Sequence, residues 1–191
     1  MKVILASKSP RRRELLSELA RKMGFEFEII TEEVDETLPT GTPAAKGVEL
    51  LAIRKGCAVA KKLPSDTLVI SSDTLVELRG TPLGKPRDKS DAMNMLRSLS
   101  GVAHNVHTGV AVHYRGRVYS GVASTAVHFR SLSDKEIADY VDSGDPMDKA
   151  GSYGIQSGGG AFVERIEGDF DTVVGLSVSL TKRLWEMAEN D

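Results

Sequence analysis

An apolar run, Val3-Ile4-Leu5-Ala6, passes through Ser7-Lys8-Ser9 directly into a stretch whose leucines, Leu15, Leu16 and Leu19, recur at helical spacing. A buried strand feeding a helix through so short a link is the opening unit of an α/β fold, and it constrains what can follow. Ser9 suits the N-cap and Pro10 the first helical position. The first turn then carries Arg11, Arg12 and Arg13, at the helix end where the macrodipole is positive and carboxylates would be favoured. Free backbone N–H groups point out of the same turn, so a phosphate ligand would offset the repulsion. The plainer alternative is a solvated arginine cluster behind an ordinary Ser-Pro cap.

The strand and helix patterns go on alternating. Phe25 to Ile30 reads as a strand, and the acidic segment Thr31 to Thr42 reads as a loop closed by Pro39 and Gly41. Pro43 opens a helix to about Leu63, with an apolar stripe of Ala45, Val48, Leu51, Ala52, Ala58 and Val59. Lys55 interrupts that stripe, and it either snorkels to solvent or is directed into a cleft. Thr67 to Ser72 is a buried strand that ends at Asp73-Thr74, with Leu75-Val76-Glu77-Leu78 continuing beyond. Gly80 to Asp88 is rich in turn residues, and Asp91 to Leu99 reads as a helix.

Val106 to His113 and Val118 to Phe129 are two long strands joined by Tyr114-Arg115-Gly116-Arg117, a hairpin signal. Ser133 and Glu136 form a capping box, Ala161 to Ile166 is a short strand, and Leu176, Leu180 and Leu184 mark a final helix that carries Trp185. The order predicts an α/β protein with a mixed twisted sheet flanked by helices. A chain of 191 residues suits one domain, residues 1–191.

A formal net charge of −2 argues against general affinity for nucleic acid or an anionic membrane, so any anion site must be a local concentration of cations. Aromatic residues make up 5%, too few for a base-stacking platform. The single cysteine, Cys57, excludes an intrachain disulfide and reads as a small core residue. With no transmembrane run and no signal-peptide pattern, the expected location is cytoplasmic. His104, His107, His113 and His128 lack a metal-binding spacing, and neither a Gly-x-Gly-x-x-Gly loop nor a Walker A loop is present.

Three constellations could carry chemistry. Asp73 followed by Thr74 could hold a divalent cation or activate a water, or could serve only as a polar turn. Lys85, fixed between Gly84 and Pro86, could offer an ammonium to phosphate. The segment Asp145 to Gln156, followed by Gly158-Gly159-Gly160, is dense in Gly, Asp and Lys, and Gln156 has the donor and acceptor needed to read a nucleobase edge. Its glycines alternatively do no more than permit tight turns.

Taken together, Ser7-Lys8-Ser9-Pro10-Arg11-Arg12, Ser72-Asp73-Thr74, Gly84-Lys85-Pro86 and Asp148-Lys149-Ala150-Gly151-Ser152-Tyr153-Gly154-Ile155-Gln156 resemble the Maf family of nucleoside triphosphate pyrophosphatases. The resemblance covers nearly the whole chain, in family order, and implies a Maf/ITPase-like fold with a substrate cleft. It implies that Asp73 is the catalytic proton acceptor and that Arg11, Thr74 and Gln156 set substrate preference. It places Ser7, Lys55 and Lys85 along a phosphate cleft, where Arg11 and Arg12 would join the lysines in neutralising phosphate charge, and it makes Glu36, of the pair Asp35-Glu36, the functional acid. A divalent cation, Mg²⁺ or Mn²⁺, held by Asp73 and Glu36 would then bridge the phosphates.

The Asp-Lys-Ala-Gly-Ser-Tyr-Gly-Ile-Gln run resembles the branch acting on dTTP and UTP, and the family suggests a homodimer. A preference for 7-methyl-GTP or modified purines, or a nucleotide-sensing role in cell division without turnover, are the competing expectations. Two positions depart from the family pattern. Ser72 stands in place of a common alanine, and Gly175-Leu176-Ser177 in place of a common Gly-Leu-Pro.

Overall fold

The computed structural model describes residues 1–191. In chain order the elements are β1 (Val3–Leu5), α1 (Pro10–Met23), β2 (Glu28–Ile29), α2 (Ala44–Ala60), β3 (Leu68–Leu78), β4 (Thr81–Leu83) and α3 (Lys89–Leu99). There follow β5 (Ala103–Tyr114), β6 (Arg117–Phe129), α4 (Asp134–Asp142), β7 (Val163–Glu167), α5 (Phe170–Val174) and α6 (Val178–Asn190), with short 3₁₀ turns between α4 and β7. One seven-stranded sheet has the order β2-β1-β3-β5-β6-β7, and β4 pairs with the far end of β3. β1 runs parallel to β2 and β3 while all other pairs are antiparallel, so the sheet is mixed.

Local chemistry sets most boundaries. Ser9 caps α1 by accepting from the Arg12 amide, Pro10 opens the helix, and its first turn holds no acidic residue. Ser133 and Glu136 form a reciprocal capping box on α4. The hairpin of β5 and β6 is in register from Ala103 opposite His128 to Tyr114 opposite Arg117, and it turns at Arg115 and Gly116, both with positive φ.

The expected strand at Phe25 to Ile30 is shorter in the structure, because Phe25 and Phe27 pack on the core and only Glu28–Ile29 pairs. Phe25 lies 4.5 Å from the Trp185 ring, and that stacking takes the segment out of the ladder. The turn-rich segment after Gly80 contains β4, and the final helix is preceded by the five-residue α5, too short to show a period. Leu176 is fully buried before α6 begins, and Ser177 caps that helix.

The alternation of β3 assigns its two faces to different helices. Leu68 and Ile70 join Val110 and Val112 in a core with Leu15, Leu16 and Leu19 of α1 and Leu180, Leu184 and Trp185 of α6. Val69 points the other way, against Val59 of α2. Further along the same sheet, Val76 and Val106 enter a second core with α3, α4, Tyr153 and Phe162.

Helix α2 lies unusually close to the sheet. A Cβ on Gly109 would come within 2.3 Å of the Val48 carbonyl oxygen, and one on Gly56 within 2.5 Å of Ser71 Oγ. Only glycine allows that approach, and Ser71 Oγ then bonds the Ala52 carbonyl at 2.7 Å.

Candidate active site

Strand β3 does not stop at Asp73. It runs unbroken to Leu78, because β5 pairs with it from Val69 to Glu77. What stops is its neighbour on the opposite edge. There β1 covers only Leu68–Ile70 and β4 covers only Val76–Leu78, which leaves residues 71–75 without a strand partner. Into that gap opens a cleft of about 1110 Å³, reaching from the start of α1 to the segment around Gln156. Ser7, Arg11, Arg12, Glu36, Lys55, Asp73, Thr74, Lys85 and Gln156 all line it, so the residues singled out from the sequence converge on one space.

Strand alternation delivers successive side chains to opposite sides of that space. Asp73 shares the Val69 face and meets α2. Lys55 Nζ lies 2.5 Å from Asp73 Oδ1 and 2.8 Å from Glu36 Oε1, joining the two carboxylates through one ammonium. Lys55 is therefore the cleft-directed lysine of the two alternatives, brought down onto Asp73 by the close packing at Gly56. Asp73 itself is 8% exposed, a carboxylate taken largely out of water. The neighbours of Glu36 in the acidic loop are otherwise engaged. Asp35 Oδ1 accepts from the Thr37 amide, and Glu32 pairs with Lys62 at 2.7 Å.

Ser72 and Thr74 face the other way, toward α1 and the turn between α5 and α6. Arg12 Nε donates to the Gly175 carbonyl at 2.8 Å, its Nη2 to Thr74 Oγ1 at 3.3 Å and its Nη1 to Ser7 Oγ at 3.5 Å. Three of the five guanidinium N–H groups are used in this way, and two remain for a ligand. Burial lowers Arg12 from its ordinary pKa, and the charge of Asp73 opposes the shift. Thr74 Oγ1 also bonds Thr108 Oγ1 at 2.9 Å, and Thr108 donates to the Thr172 carbonyl.

The two positions that depart from the family pattern meet at this turn, Ser72 from β3 and Ser177 from the turn itself. Ser72 Oγ donates to the same Gly175 carbonyl at 2.8 Å, and Ser177 supplies the α6 cap. Sequence reasoning had no signal for the Gly175 carbonyl as a hub, because its donors come from α1 and β3, more than 100 residues away.

Arg11 and Lys85 extend cationic side chains to the cleft, Lys85 from the exposed turn after β4. Arg13 is exposed and lies outside it. Gln156 is exposed on the far wall, one residue after Ile155, whose side chain packs against both large cores. Lys149 lines the cleft as well but is bound to Asp145 and Asp148 at 2.9 and 2.8 Å. His104 and His113 are buried structural residues, His104 bonded to the Tyr153 hydroxyl at 2.9 Å.

No group of three or more His, Cys, Asp or Glu side chains converges as a metal cage. The pair Asp73 and Glu36 nevertheless fits a hard divalent cation. Both are oxygen donors already gathered around one positive charge, and Mg²⁺ commonly binds one or two carboxylates with substrate phosphates completing its shell.

A buried carboxylate at a break in the sheet edge, faced by cations from two helices, defines a protein built for polyanionic ligands. Residues 2–188 match the family described as Maf-like protein, and the chain belongs to that family. It is 48% identical over 183 residues to a dTTP/UTP pyrophosphatase of Vibrio cholerae, covering 96% of each chain. It is 48% identical over 179 residues to a dTTP/UTP pyrophosphatase of Pelotomaculum thermopropionicum, covering 93% of this chain and 91% of that one. Among solved structures, a nucleoside-triphosphatase (dITP/XTP pyrophosphatase) of Mycobacterium abscessus aligns loosely. Its TM-score is 0.48 at 11% identity, over 100% of this chain and 95% of that one. No helix is long and apolar enough to cross a membrane.

Proposed function

We propose that this chain is a cytoplasmic nucleoside triphosphate pyrophosphatase that hydrolyses dTTP and UTP, and related modified pyrimidine nucleotides, to the monophosphate and pyrophosphate. The observation that carries this reading is the pairing of the buried Asp73 with Lys55 and Glu36, in a cleft also lined by Arg11, Arg12 and Lys85, none of which is paired with a carboxylate. The names of the relatives supply the substrate class.

In the proposed reaction Asp73 orients a water and accepts its proton. The water oxygen bonds to the α-phosphorus while the bond from that phosphorus to the bridging oxygen of the β-phosphate breaks, and pyrophosphate leaves with the electron pair. The two unspent N–H groups of Arg12, together with Arg11, Lys55 and Lys85, meet the charge that accumulates on the phosphate oxygens. Their positions are set before substrate arrives, Arg12 by Gly175 and Thr74 and Lys55 by the two carboxylates. Ser7 donates or accepts at the foot of the same wall, and Thr74 and Gln156 select the base. Asp73 and Glu36 would hold a divalent cation, Mg²⁺ or Mn²⁺, which supplies charge neutralisation to the phosphates.

A panel of nucleoside triphosphates assayed for pyrophosphate with Mg²⁺ tests the reading. Release from dTTP and UTP above purine nucleotides is expected, and release from none would overturn it. Asp73→Asn should lower kcat by roughly 10²–10⁴-fold while nucleotide binding remains measurable by calorimetry. Turnover retained in that variant would remove Asp73 from the chemistry.

A further inference from the structure

The carboxylate of Asp145 lies outside the reaction just described, yet it gathers bonds from three different side chains. Its Oδ2 accepts from the Tyr140 hydroxyl at 2.6 Å and from Ser157 Oγ at 2.6 Å, and its Oδ1 accepts from Lys149 Nζ at 2.9 Å. Lys149 and Ser157 flank the segment that carries Gly151, Tyr153, Ile155 and Gln156, so one carboxylate ties both ends of it together. Tyr140 adds a third tie, its hydroxyl accepting from the Gly154 amide at 3.0 Å while its ring stands edge-on to Phe162 in the second core.

Lys149 has three ammonium protons and three acceptors, the Asp145 carbonyl at 2.5 Å, Asp145 Oδ1 at 2.9 Å and Asp148 Oδ1 at 2.8 Å. It lines the cleft but has no donor left for a phosphate, which marks it as part of the tie. Burial pushes the Asp145 carboxyl up, but the bonds from Ser157, Tyr140 and Lys149 outweigh it and hold the group below the ordinary range. The acid is therefore held in its ionised form by the same bonds that make the tie.

The segment needs such a tie. Gly151 and Ser152 both have positive φ, and Ser152 is a non-glycine residue held there while fully buried. Its start is fixed by the Gly151 amide on the Gly84 carbonyl, immediately before Lys85. Its far end, where Gln156 projects, is exposed; the turn closes on itself through the Ser157 amide on the Gly154 carbonyl, and the Asp145 cluster and Ile155 tie that turn to the rest of the fold.

We infer that Asp145 is a positioning residue for base selection: by clipping Lys149 to Ser157 it fixes the segment that presents Gln156 to the nucleobase. The inference rests on the proposed base-reading role of Gln156 and extends it to a group that never touches substrate.

The test is a double-mutant cycle read as the ratio of kcat/KM for UTP to that for GTP. Asp145→Asn should lower the ratio about 10-fold, through a higher KM for UTP with kcat within about 3-fold of the parent. In a Gln156→Ala background the same change should lower the ratio no further, because nothing remains for it to position. Independent, multiplying effects would overturn the inference, as would an unchanged ratio in Asp145→Asn. A ratio unmoved by Gln156→Ala but moved by Asp145→Asn would overturn the base-reading role of Gln156 itself. Should Asp145→Asn fail to fold, Ser157→Ala, which removes one bond to the same carboxylate, takes its place in the cycle with a smaller shift of the same sign.

Discussion

On the wall proposed for the phosphates, Arg12 and Lys55 project from α1 and α2, regular helices pinned against the sheet by Leu16 and by the glycine contacts at Gly56 and Gly109. On the wall proposed for the base, Gln156 rides on irregular backbone whose shape is kept by hydrogen bonds to Asp145 and Tyr140 and by left-handed residues at 151 and 152. Phosphate oxygens ask for concentrated positive charge, which a helix start and a lysine on a helix face provide at fixed positions. A base edge asks for one amide at the right height, and a loop can change that height without disturbing the charges. The separation predicts that the two walls fail differently when altered.

Between the two walls, and leaving Asp73 aside, the largest effect should come from Arg12→Lys. The substitution keeps the charge but loses the planar fork that bonds Gly175 and Thr74 while leaving N–H groups for ligand. We expect kcat/KM to fall roughly 10²–10³-fold. The loss should be nearly the same for UTP and GTP, because Arg12 reaches base selection only through its one bond to Thr74 and leaves Gln156 untouched. A change in the UTP-to-GTP ratio as large as the loss in rate would show that the walls are not separate.

A comparable effect, on stability instead of rate, lies beneath the base wall. His104 is buried against Phe129 and Tyr153, its Nδ1 has no partner, and burial chiefly lowers its pKa to about 4, with the nearby His128 adding to the shift. An unfolded chain binds that proton near pH 6.5, so between pH 6.5 and 4 the unfolded state takes up more protons than the folded one. Stability is therefore full above pH 6.5 and falls as pH drops toward 4, by about 3 kcal/mol for this group. His107 and His113, also lowered by burial, add to the same slope. Urea unfolding followed from pH 7 to 4 should show the loss, and His104→Gln, which keeps a partner for Tyr153, should flatten it. An equal slope in the variant would place the pH dependence elsewhere.

The contrast also explains what could be read in advance. The phosphate wall was legible because its signals are local: a strand, Ser-Pro and three arginines within one helical turn, and a lysine breaking an apolar stripe. The caps and the hairpin turn were legible for the same reason. The pattern marks Asp73 as a candidate but puts it at a strand end, since the run of polar residues at Ser71 to Thr74 resembles a terminus. The strand continues because β5 pairs with it residue by residue, a long-range fact that β3 does not encode in its own pattern. On the base wall, the density of Gly, Asp and Lys marks the segment, but nothing in the sequence singles out Asp145 within it. Its meaning comes from Tyr140 and Ser157, which approach only after α4 and the following turns have packed.

The smallest effect concerns the arginine that has no work in the cleft. Arg11 lines it and Arg12 is bonded into it, but Arg13 is exposed to solvent on the outer side of α1. All three stand in a first turn with no acidic residue, where the helix N-terminus repels cations. For Arg12 that repulsion is offset by hydrogen bonds and, in the proposed complex, by phosphate. For Arg13 nothing offsets it. Arg13→Glu should therefore stabilise the fold by about 0.5 kcal/mol at low ionic strength, with the gain shrinking as salt is added. A charge reversal one residue from Arg12 should at the same time change kcat/KM by less than about 3-fold, since Arg13 lies outside the cleft and its charge acts on it through high-dielectric solvent. If Arg13→Glu instead cost activity on the scale of Arg12→Lys, the phosphate wall would have to include the whole turn and not two of its side chains.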